Sequence, residues 1–167
     1  MADVRDLVAE LFHRLPARSE LSEERLTRLA YLADWKHAIG NKGRQITNLK
    51  WYFDSYGPYA PQVFDAAHRS QIFQSRPLAN EWEDSNHAVS LYDRLYKPSL
   101  KQSEREAIAH VAGAAAMMSW PDLGKLVAST YPILAGQRYE FIDMGPLAIS
   151  YLRLMQQIAE KKRSAIK

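Results

Sequence analysis

Residues 26–65 constrain the fold of this chain more than any other stretch, because the spacing of apolar residues changes within them. The first part carries apolar side chains at helical spacing, namely Leu26, Leu29, Ala30 and Ala33. Ser22 is a suitable N-cap before this part, and Gly40 lies near the C-terminal position where glycine is preferred. The pattern predicts a helix that begins after Ser22 and ends at Gly40.

The second part of this stretch is rich in residues that favour β-strands. Ile46-Thr47 and Trp51-Tyr52-Phe53 are β-branched or aromatic, and Asn48 is suited to a turn between them. Gly57-Pro58 follows and ends the pattern. We therefore predict a small β-hairpin after the helix, closed by Gly57-Pro58.

Helical signals dominate the rest of the chain. Cap residues and apolar periodicity predict five further helices. They begin near Asp3, Pro61, Ser103, Ser119 and Pro146. Ser103 and Glu106 fit a capping box, in which the hydroxyl accepts an amide hydrogen and the carboxylate reaches back to the cap amide. The last helix, at about 146–163, is expected to bury Leu147, Tyr151, Leu154, Met155 and Ile158.

Two segments in the middle of the chain are predicted to form a second antiparallel pair. Residues 71–73 and 88–92 are strand-prone, and the polar stretch 80–87 would connect them. A chain of 167 residues is long enough for one domain with a core and short for two. The predicted fold class is mainly α: a single compact helical domain, residues 1–167, with one or two small β-hairpins.

Composition excludes several classes of protein. The chain has no cysteine, which excludes disulfides and fits a cytoplasmic location. No apolar run approaches the roughly 20 residues of a membrane span, and the N-terminus does not have the pattern of a secretory signal. The formal net charge of +3 is smaller than nucleic-acid-binding proteins usually carry. We expect a cytoplasmic protein that has no membrane partner, and we do not favour nucleic acid as a partner.

No catalytic or metal-binding motif is visible in the sequence. The histidines fit no zinc-binding spacing, and each is interpreted as a surface or half-buried residue: His13, His37, His68, His87 and His110. A metal site assembled by the fold stays open. The carboxylates of Asp34, Asp54 and Asp65 could converge, but the simpler interpretation is that Asp34 hydrogen-bonds the loop that follows it. We predict no cofactor, no metal and no enzymatic activity.

Aromatic residues are concentrated between positions 35 and 59, beside several basic residues. In a strand, Trp51 and Phe53 share one face and Tyr52 the other, so one face is expected to be buried and the other partly exposed. Three interpretations of the cluster are open. In order of preference they are core, protein interface and nucleic-acid surface.

The order of several short motifs resembles the Panacea domain, also known as the SocA-like antitoxin domain. The first motifs are Leu29-x-Tyr31-Leu32-Ala33-Asp34, Gly43-Arg44-x-Ile46-Thr47, Trp51 and Tyr56-Gly57-Pro58. Ser119-Trp120-Pro121-Asp122-Leu123 and Ser129-Thr130-Tyr131-Pro132 are similar to the second half of that family. The resemblance covers about residues 26–132, and the helix at about 146–163 is an addition to it.

The resemblance implies a mainly helical domain that neutralises a cognate protein toxin by direct binding, with no enzymatic activity. One branch of the family instead acts as an adaptor that delivers a bound toxin to an ATP-dependent protease. Some members carry an additional DNA-binding domain, which is not expected here because few residues precede the first motif. A nucleic-acid-binding regulator is the third hypothesis, after antitoxin and adaptor.

The resemblance also separates fold residues from candidate contact residues. The shared motif residues are expected to maintain the fold: Asp34, Ile46, Thr47, Trp51, Tyr56, Gly57 and Pro58. A module that serves many partners is expected to keep its scaffold and vary its surface. We therefore expect exposed aromatic and arginine side chains to contact the toxin: Tyr52, Tyr59, Arg44, Arg69, and Trp35 if it faces outward.

Overall fold

The computed structural model describes residues 1–78 and 87–166, and these are mainly helical, as predicted. Helix accounts for 55% of the described residues and strand for 13%, so helices set the architecture. The seven helices of the described residues are α1 (Val4–His13), α2 (Glu23–Gly40), α3 (Pro61–Arg69), α4 (Gln102–Ala115), α5 (Trp120–Ala128), α6 (Tyr131–Ala135) and α7 (Met144–Ala165). Their six strands are β1 (Leu21–Ser22), β2 (Trp51–Asp54), β3 (Gly57–Tyr59), β4 (Phe73–Pro77), β5 (His87–Leu91) and β6 (Phe141–Ile142).

Three predicted N-caps begin helices α1, α2 and α5. The Asp3 carboxylate accepts the Arg5 N–H over 2.8 Å. The Ser22 and Ser119 hydroxyls each accept the amide hydrogen three residues ahead, both over 3.2 Å. Each cap satisfies one of the amides that a helix N-terminus leaves without an intrahelical partner.

Helix α4 begins differently from the prediction. Its N-cap is Lys101, not Ser103, and the Glu104 carboxylate accepts the Lys101 N–H over 2.8 Å. Glu104 therefore takes the role predicted for Glu106. The earlier start gives the buried Glu104 carboxylate a donor, and it places the Ser103 hydroxyl in the first turn, 3.2 Å from His37 Nε2.

The hairpin predicted after α2 forms from different strands. Ile46-Thr47 is not a strand, because the Asp34 carboxylate accepts the backbone amides of both residues, each over 3.0 Å. Strand β2 instead pairs antiparallel with β3 on one side and with β6 on the other. The result is a three-stranded sheet in the order β3-β2-β6, in which Gly57-Pro58 belongs to a strand.

The second predicted antiparallel pair forms and belongs to a larger sheet, but its first strand is Phe73–Pro77 and not 71–73. Strand β4 pairs with β5, and β1 pairs with the other side of β5, so the order is β1-β5-β4. The predicted connection, 80–87, lies outside the described residues except for His87, which begins β5. Two small three-stranded sheets therefore replace the one or two hairpins of the predicted fold class.

Helix α2 lies at the centre of the described structure. Its consecutive residues Leu29, Ala30 and Tyr31 are fully buried, as is Ala33. A helix buried on several sides packs against several neighbours, and α2 contacts α3, α4, α5 and α7. The loop that follows α2 is therefore attached to a fixed, buried element.

Helix α7 packs through its first half only. Met144 and Ala148 are buried, whereas Leu147 and Tyr151 are half-buried. The predicted burial is wrong for three residues that are 38% or 39% exposed: Leu154, Met155 and Ile158. A helix of 22 residues is about 33 Å long, and the side chains of its last turns are mostly exposed. Neither α7 nor any other helix in the described ranges is long and apolar enough to cross a lipid bilayer.

Two glycines bring the start of α7 against the loop after α2. A Cβ atom at Gly43 would lie 2.8 Å from the Gly145 carbonyl oxygen, which is closer than Cβ contacts occur. Gly43 also has a φ of +81°, a region that glycine occupies without strain. The loop and the first turn of α7 therefore meet backbone to backbone.

Candidate functional site

The carboxylate of Asp34 organises the loop that follows α2. Its Oδ1 accepts the backbone amides of Ile46 and Thr47. Its Oδ2 accepts the Thr47 hydroxyl over 2.8 Å, the Trp51 indole N–H over 3.0 Å and a Gln45 amide N–H over 3.2 Å. Asp34 is fully buried, so these five donors replace water around it. The expectation that Asp34 hydrogen-bonds the following loop is confirmed.

Burial and hydrogen bonding act on Asp34 in opposite directions. Burial raises the pKa of this carboxyl group because it removes water from the charged form. The hydrogen bonds from Trp51, Thr47 and Gln45 oppose that rise because they favour the carboxylate. All five groups that contact the Asp34 carboxylate are hydrogen-bond donors, so the geometry suits a carboxylate that acts as a structural acceptor.

The three aspartates considered for acid–base chemistry are not brought together. Asp65 is exposed on α3, and Asp54 accepts the Ser55 N–H over 2.7 Å at the end of β2. Neither is a hydrogen-bond partner of Asp34. These residues therefore do not form the coupled carboxylate pair that acid–base catalysis can use.

The inner side of strand β2 faces the core. Trp51 is fully buried, and its ring meets that of Tyr31 edge to face with 5.5 Å between centroids. Phe53 is also buried, at 7% exposure. Two of the aromatic residues in the cluster are therefore core residues, as the alternation of a strand predicted.

Three aromatic side chains form a row across the outer side of the sheet β3-β2-β6. Tyr52 lies opposite Tyr59 on β3 and opposite Phe141 on β6. Residues directly opposite each other project to the same side, and the ring centroids of Tyr52 and Phe141 are 5.3 Å apart. Tyr59 is 46% exposed and Phe141 is 71% exposed. We call Tyr52, Tyr59 and Phe141 the aromatic face.

Further exposed aromatic residues lie at the turn between β2 and β3. The Tyr139 hydroxyl is 3.1 Å from Ser55 Oγ in that turn. Arg28 donates to the Tyr56 carbonyl over 3.3 Å and stacks on Trp120, with its Cζ 3.9 Å from the ring centroid. These contacts connect the β2–β3 turn to the start of α5.

Tyr56 does not pack into the fold as expected. Its side chain is 87% exposed, whereas Trp51 and Pro58 are buried. The neighbouring Gly57 has a φ of +118°, which explains the need for glycine at the turn. Tyr56 therefore belongs to the surface of the β2–β3 turn, and only its backbone takes part in the contact with Arg28 described above.

Comparison with known protein families decides the classification of the chain. The family described as "Antitoxin SocA-like, Panacea domain" matches residues 26–132. The chain belongs to this Panacea family. No curated protein and no solved structure shows a significant match to the chain.

The Panacea match contains only part of the aromatic face. Tyr52 and Tyr59 lie within the matched residues, whereas Phe141 lies beyond them. A strand from outside the match therefore completes the β3-β2-β6 sheet. The exposed end of the row comes from the part of the chain that the Panacea match does not cover.

The contact residues predicted for the Panacea domain divide into two groups. The structure brings the two tyrosines together and places the other three residues elsewhere. Trp35 faces inward: it is 6% exposed, and its ring centroid lies 5.6 Å from that of Tyr151 on α7. It is therefore unavailable as an exposed anchor. Arg44 is exposed in the loop after α2, and Arg69 is exposed at the end of α3.

Three residues of this surface were not predicted as contact residues. Phe141 alternates with its neighbours in a way typical of a strand, but a two-residue strand gives too short a signal. Trp120 was noted only as a motif residue, and Arg28 as part of a helix. Their stacking joins α2 to α5 and has no local sequence pattern.

One group of side chains in the described ranges could hold a metal ion: Glu23, His68 and His87. Each offers one ligand atom, and these atoms lie within 4.8 Å of one another. The residues belong to α2, α3 and β5, which are distant in the sequence. No spacing motif identifies such a group, so the sequence alone does not indicate that His68 and His87 lie close together.

Proposed function

We propose that this chain is an antitoxin that binds a cognate protein toxin directly and blocks its action by occupancy, without catalysis. Membership in the SocA-like Panacea family supports the antitoxin role. The aromatic face supports direct binding, because it exposes Tyr59 and Phe141 on a sheet that is anchored in the core. We place this encounter in the cytoplasm.

The aromatic face has the properties of an interface centre. Tyrosine and tryptophan are enriched among the residues that dominate the free energy of binding. Tyr52 and Phe141 already contact each other, so little side-chain entropy is lost when a partner covers them. A toxin that covered about 800 Å² of this chain, the size typical of stable complexes, would bury the row and its surroundings.

The Asp34 network holds the aromatic face from behind. Trp51 directly precedes Tyr52, and its indole N–H donates to the Asp34 carboxylate. Tyr52 therefore directly follows a residue of the same strand that is fixed in the core. In this proposal Asp34 and Trp51 affect toxin binding through the position of Tyr52, not through contact with the toxin.

Delivery of the toxin to an ATP-dependent protease is the second candidate. An adaptor needs one surface for its client and another for the protease. The last turns of α7 supply a second exposed apolar surface, which includes Leu154, Met155 and Ile158. The adaptor function also requires that the toxin is degraded faster when this chain is present.

We do not extend the proposal to nucleic acid. The outer side of β2 that presents Tyr52 also presents Asp54, whose negative charge repels phosphate. The exposed row lacks the basic side chains that a phosphate backbone requires, since its members are two tyrosines and a phenylalanine.

The first experiment measures colony formation in a host that expresses the neighbouring open reading frame, with and without this chain. Rescue of a lethal neighbour supports the antitoxin function. A harmless neighbour in both cases contradicts it and removes the main support for the proposal.

The half-life of the toxin then separates the two candidates. A blocking antitoxin leaves the half-life unchanged or lengthens it, because bound toxin is protected. An adaptor shortens it, and the shortening disappears in a host that lacks the protease. The same measurement in a matched host that expresses an inactive toxin variant shows whether expression alone changes the half-life of the toxin.

A further inference from the structure

We propose that Glu23, His68 and His87 form a binding site for a divalent transition metal, with zinc as the best fit. Two imidazoles and one carboxylate are a ligand set of zinc sites that keep a fourth position open. Nitrogen ligands favour zinc, copper and nickel over magnesium and calcium, which prefer oxygen ligands only.

The fold brings the three residues together through strand pairing. Ser22 pairs with Ala88 between β1 and β5, so the next positions, Glu23 and His87, lie beside each other. His68 arrives from the last turn of α3, which leads directly into β4 beside β5. Three different elements therefore supply the ligands, and each element is fixed by its own packing.

Both imidazoles point at the same carboxylate oxygen. His68 Nε2 lies 2.8 Å from Glu23 Oε1, and His87 Nδ1 lies 3.4 Å from it. The two rings are perpendicular, with 5.2 Å between centroids. An ordinary ion pair needs one histidine, whereas two nitrogens that converge on one oxygen resemble ligands around a shared cation.

The spacing needs only small side-chain shifts to admit zinc. Metal–ligand distances of about 2.0–2.2 Å at tetrahedral angles place ligand atoms about 3.3 Å apart. The two distances to Glu23 lie on either side of that value, and all ligand atoms are within 4.8 Å of one another.

The surroundings of His68 suit a metal ligand. Ser75 Oγ lies 3.2 Å from His68 Nδ1 and can accept its hydrogen, which leaves Nε2 as the coordinating atom. The Phe64 ring packs on the imidazole with 4.1 Å between centroids and restricts its rotation. The side chains of His68 and His87 are each 26% exposed, so solvent and ions reach the site.

Bound zinc would join the start of α2 to the end of α3 and to β5. A ligand that binds the folded state and not the unfolded chain stabilises the folded state by mass action. We therefore expect that zinc raises the stability of the folded chain whether or not a toxin is present.

The test uses the untagged full chain, stripped of metal with a chelator and titrated with zinc chloride by calorimetry. We expect one zinc per chain and a rise in Tm. Cobalt(II) should give the intense visible absorption of a four-coordinate site. His68→Gln and His87→Gln should each weaken zinc binding by more than the roughly 10–100-fold that loss of an outer-shell partner costs.

His110→Gln is the matched control, because His110 is an exposed histidine on α4 and should leave binding unchanged. Glu23→Gln keeps the shape of the side chain and tests the site if a histidine variant does not fold, as judged by circular dichroism. Absence of zinc binding by the wild-type chain would overturn the proposal. Binding that is equal in the wild type, the ligand variants and His110→Gln would show surface adsorption and would also overturn it.

Discussion

The indole N–H of Trp51 donates to Oδ2 of Asp34 over 3.0 Å, so the first residue of β2 is fixed by a carboxylate of the central helix. The same carboxylate accepts the amides of the loop in between. The position of β2, and with it the position of Tyr52 on the aromatic face, therefore depends on a residue 17 positions earlier in the chain.

Replacement of Asp34 by Asn should lower the free energy of unfolding by about 2–4 kcal/mol. The amide turns one acceptor into a donor and faces buried donors that lose their partner. Chemical denaturation of both proteins measures the difference. Asp65→Asn, an exposed aspartate on α3, should change stability by less than about 0.5 kcal/mol. Equal stability of Asp34→Asn and the wild type would contradict the role of the network.

Two substitutions at Trp51 separate packing from hydrogen bonding. Trp51→Ala should cost about 3–5 kcal/mol, because it empties a fully buried site. Trp51→Phe keeps most of the packing and removes one donor to a charged group, which costs about 1.5–3 kcal/mol. Urea unfolding gives both values. An unchanged midpoint for Trp51→Ala would refute the burial of this side chain.

Alanine at Tyr52, Tyr59 or Phe141 should each weaken toxin binding by about 2 kcal/mol, roughly 30-fold in Kd, because these residues form the aromatic face. Calorimetric titration with the toxin measures the change. Tyr92→Ala is the control, since Tyr92 is 66% exposed and follows β5 in the other sheet. If both tyrosine variants keep full affinity and a wild-type Tm, the toxin binds another surface.

Alanine should have opposite effects at two glycines. Gly43→Ala should destabilise the chain by more than about 1 kcal/mol, because its φ is positive and its Cβ would meet the Gly145 carbonyl. Gly113 is exposed within α4 with open space around it, so Gly113→Ala should stabilise by about 0.5–1 kcal/mol. Thermal unfolding compares the two. A neutral Gly43→Ala would mean that the loop and α7 do not meet closely.

Two methionines of α7 test where that helix is packed. Met144 is 1% exposed, and Met144→Ala should cost about 2–5 kcal/mol. Met155 is 38% exposed, and Met155→Ala should cost less than about 0.5 kcal/mol. Similar losses at the two positions would show that the last turns of α7 are covered in solution.

The sequence predicted six of the seven described helices, all but the five-residue α6, because their signals are local. Asp3, Ser22 and Ser119 cap helices through amides two or three residues away. The strand prediction at Ile46-Thr47 failed although β-branched residues favour strands. The Asp34 carboxylate accepts the backbone amides of this pair, and it belongs to another element, so no local pattern reveals it. The apolar pattern of α7 identified a face but could not show how far its neighbours extend.

The candidate site was predictable only where it follows the period of a strand. Alternation along β2 separated Tyr52 from Trp51 and Phe53, and this separation is what the structure has. The sequence could not decide whether Trp35 faces inward or outward, because α2 is buried on several sides and has no clear outer face. Phe141 and the group around Glu23 depend on pairing between distant strands, which one sequence does not reveal.

The attachment of α7 by its first half has a consequence for the history of such a chain. Substitutions in exposed helical turns are nearly silent for folding, and the last turns of α7 lie beyond the Panacea match. Mutations can therefore accumulate there without compensating changes in the core. Descendants of this protein that acquire different partners should diverge first at this end of the chain, while Gly43 and the residues around Asp34 stay the same.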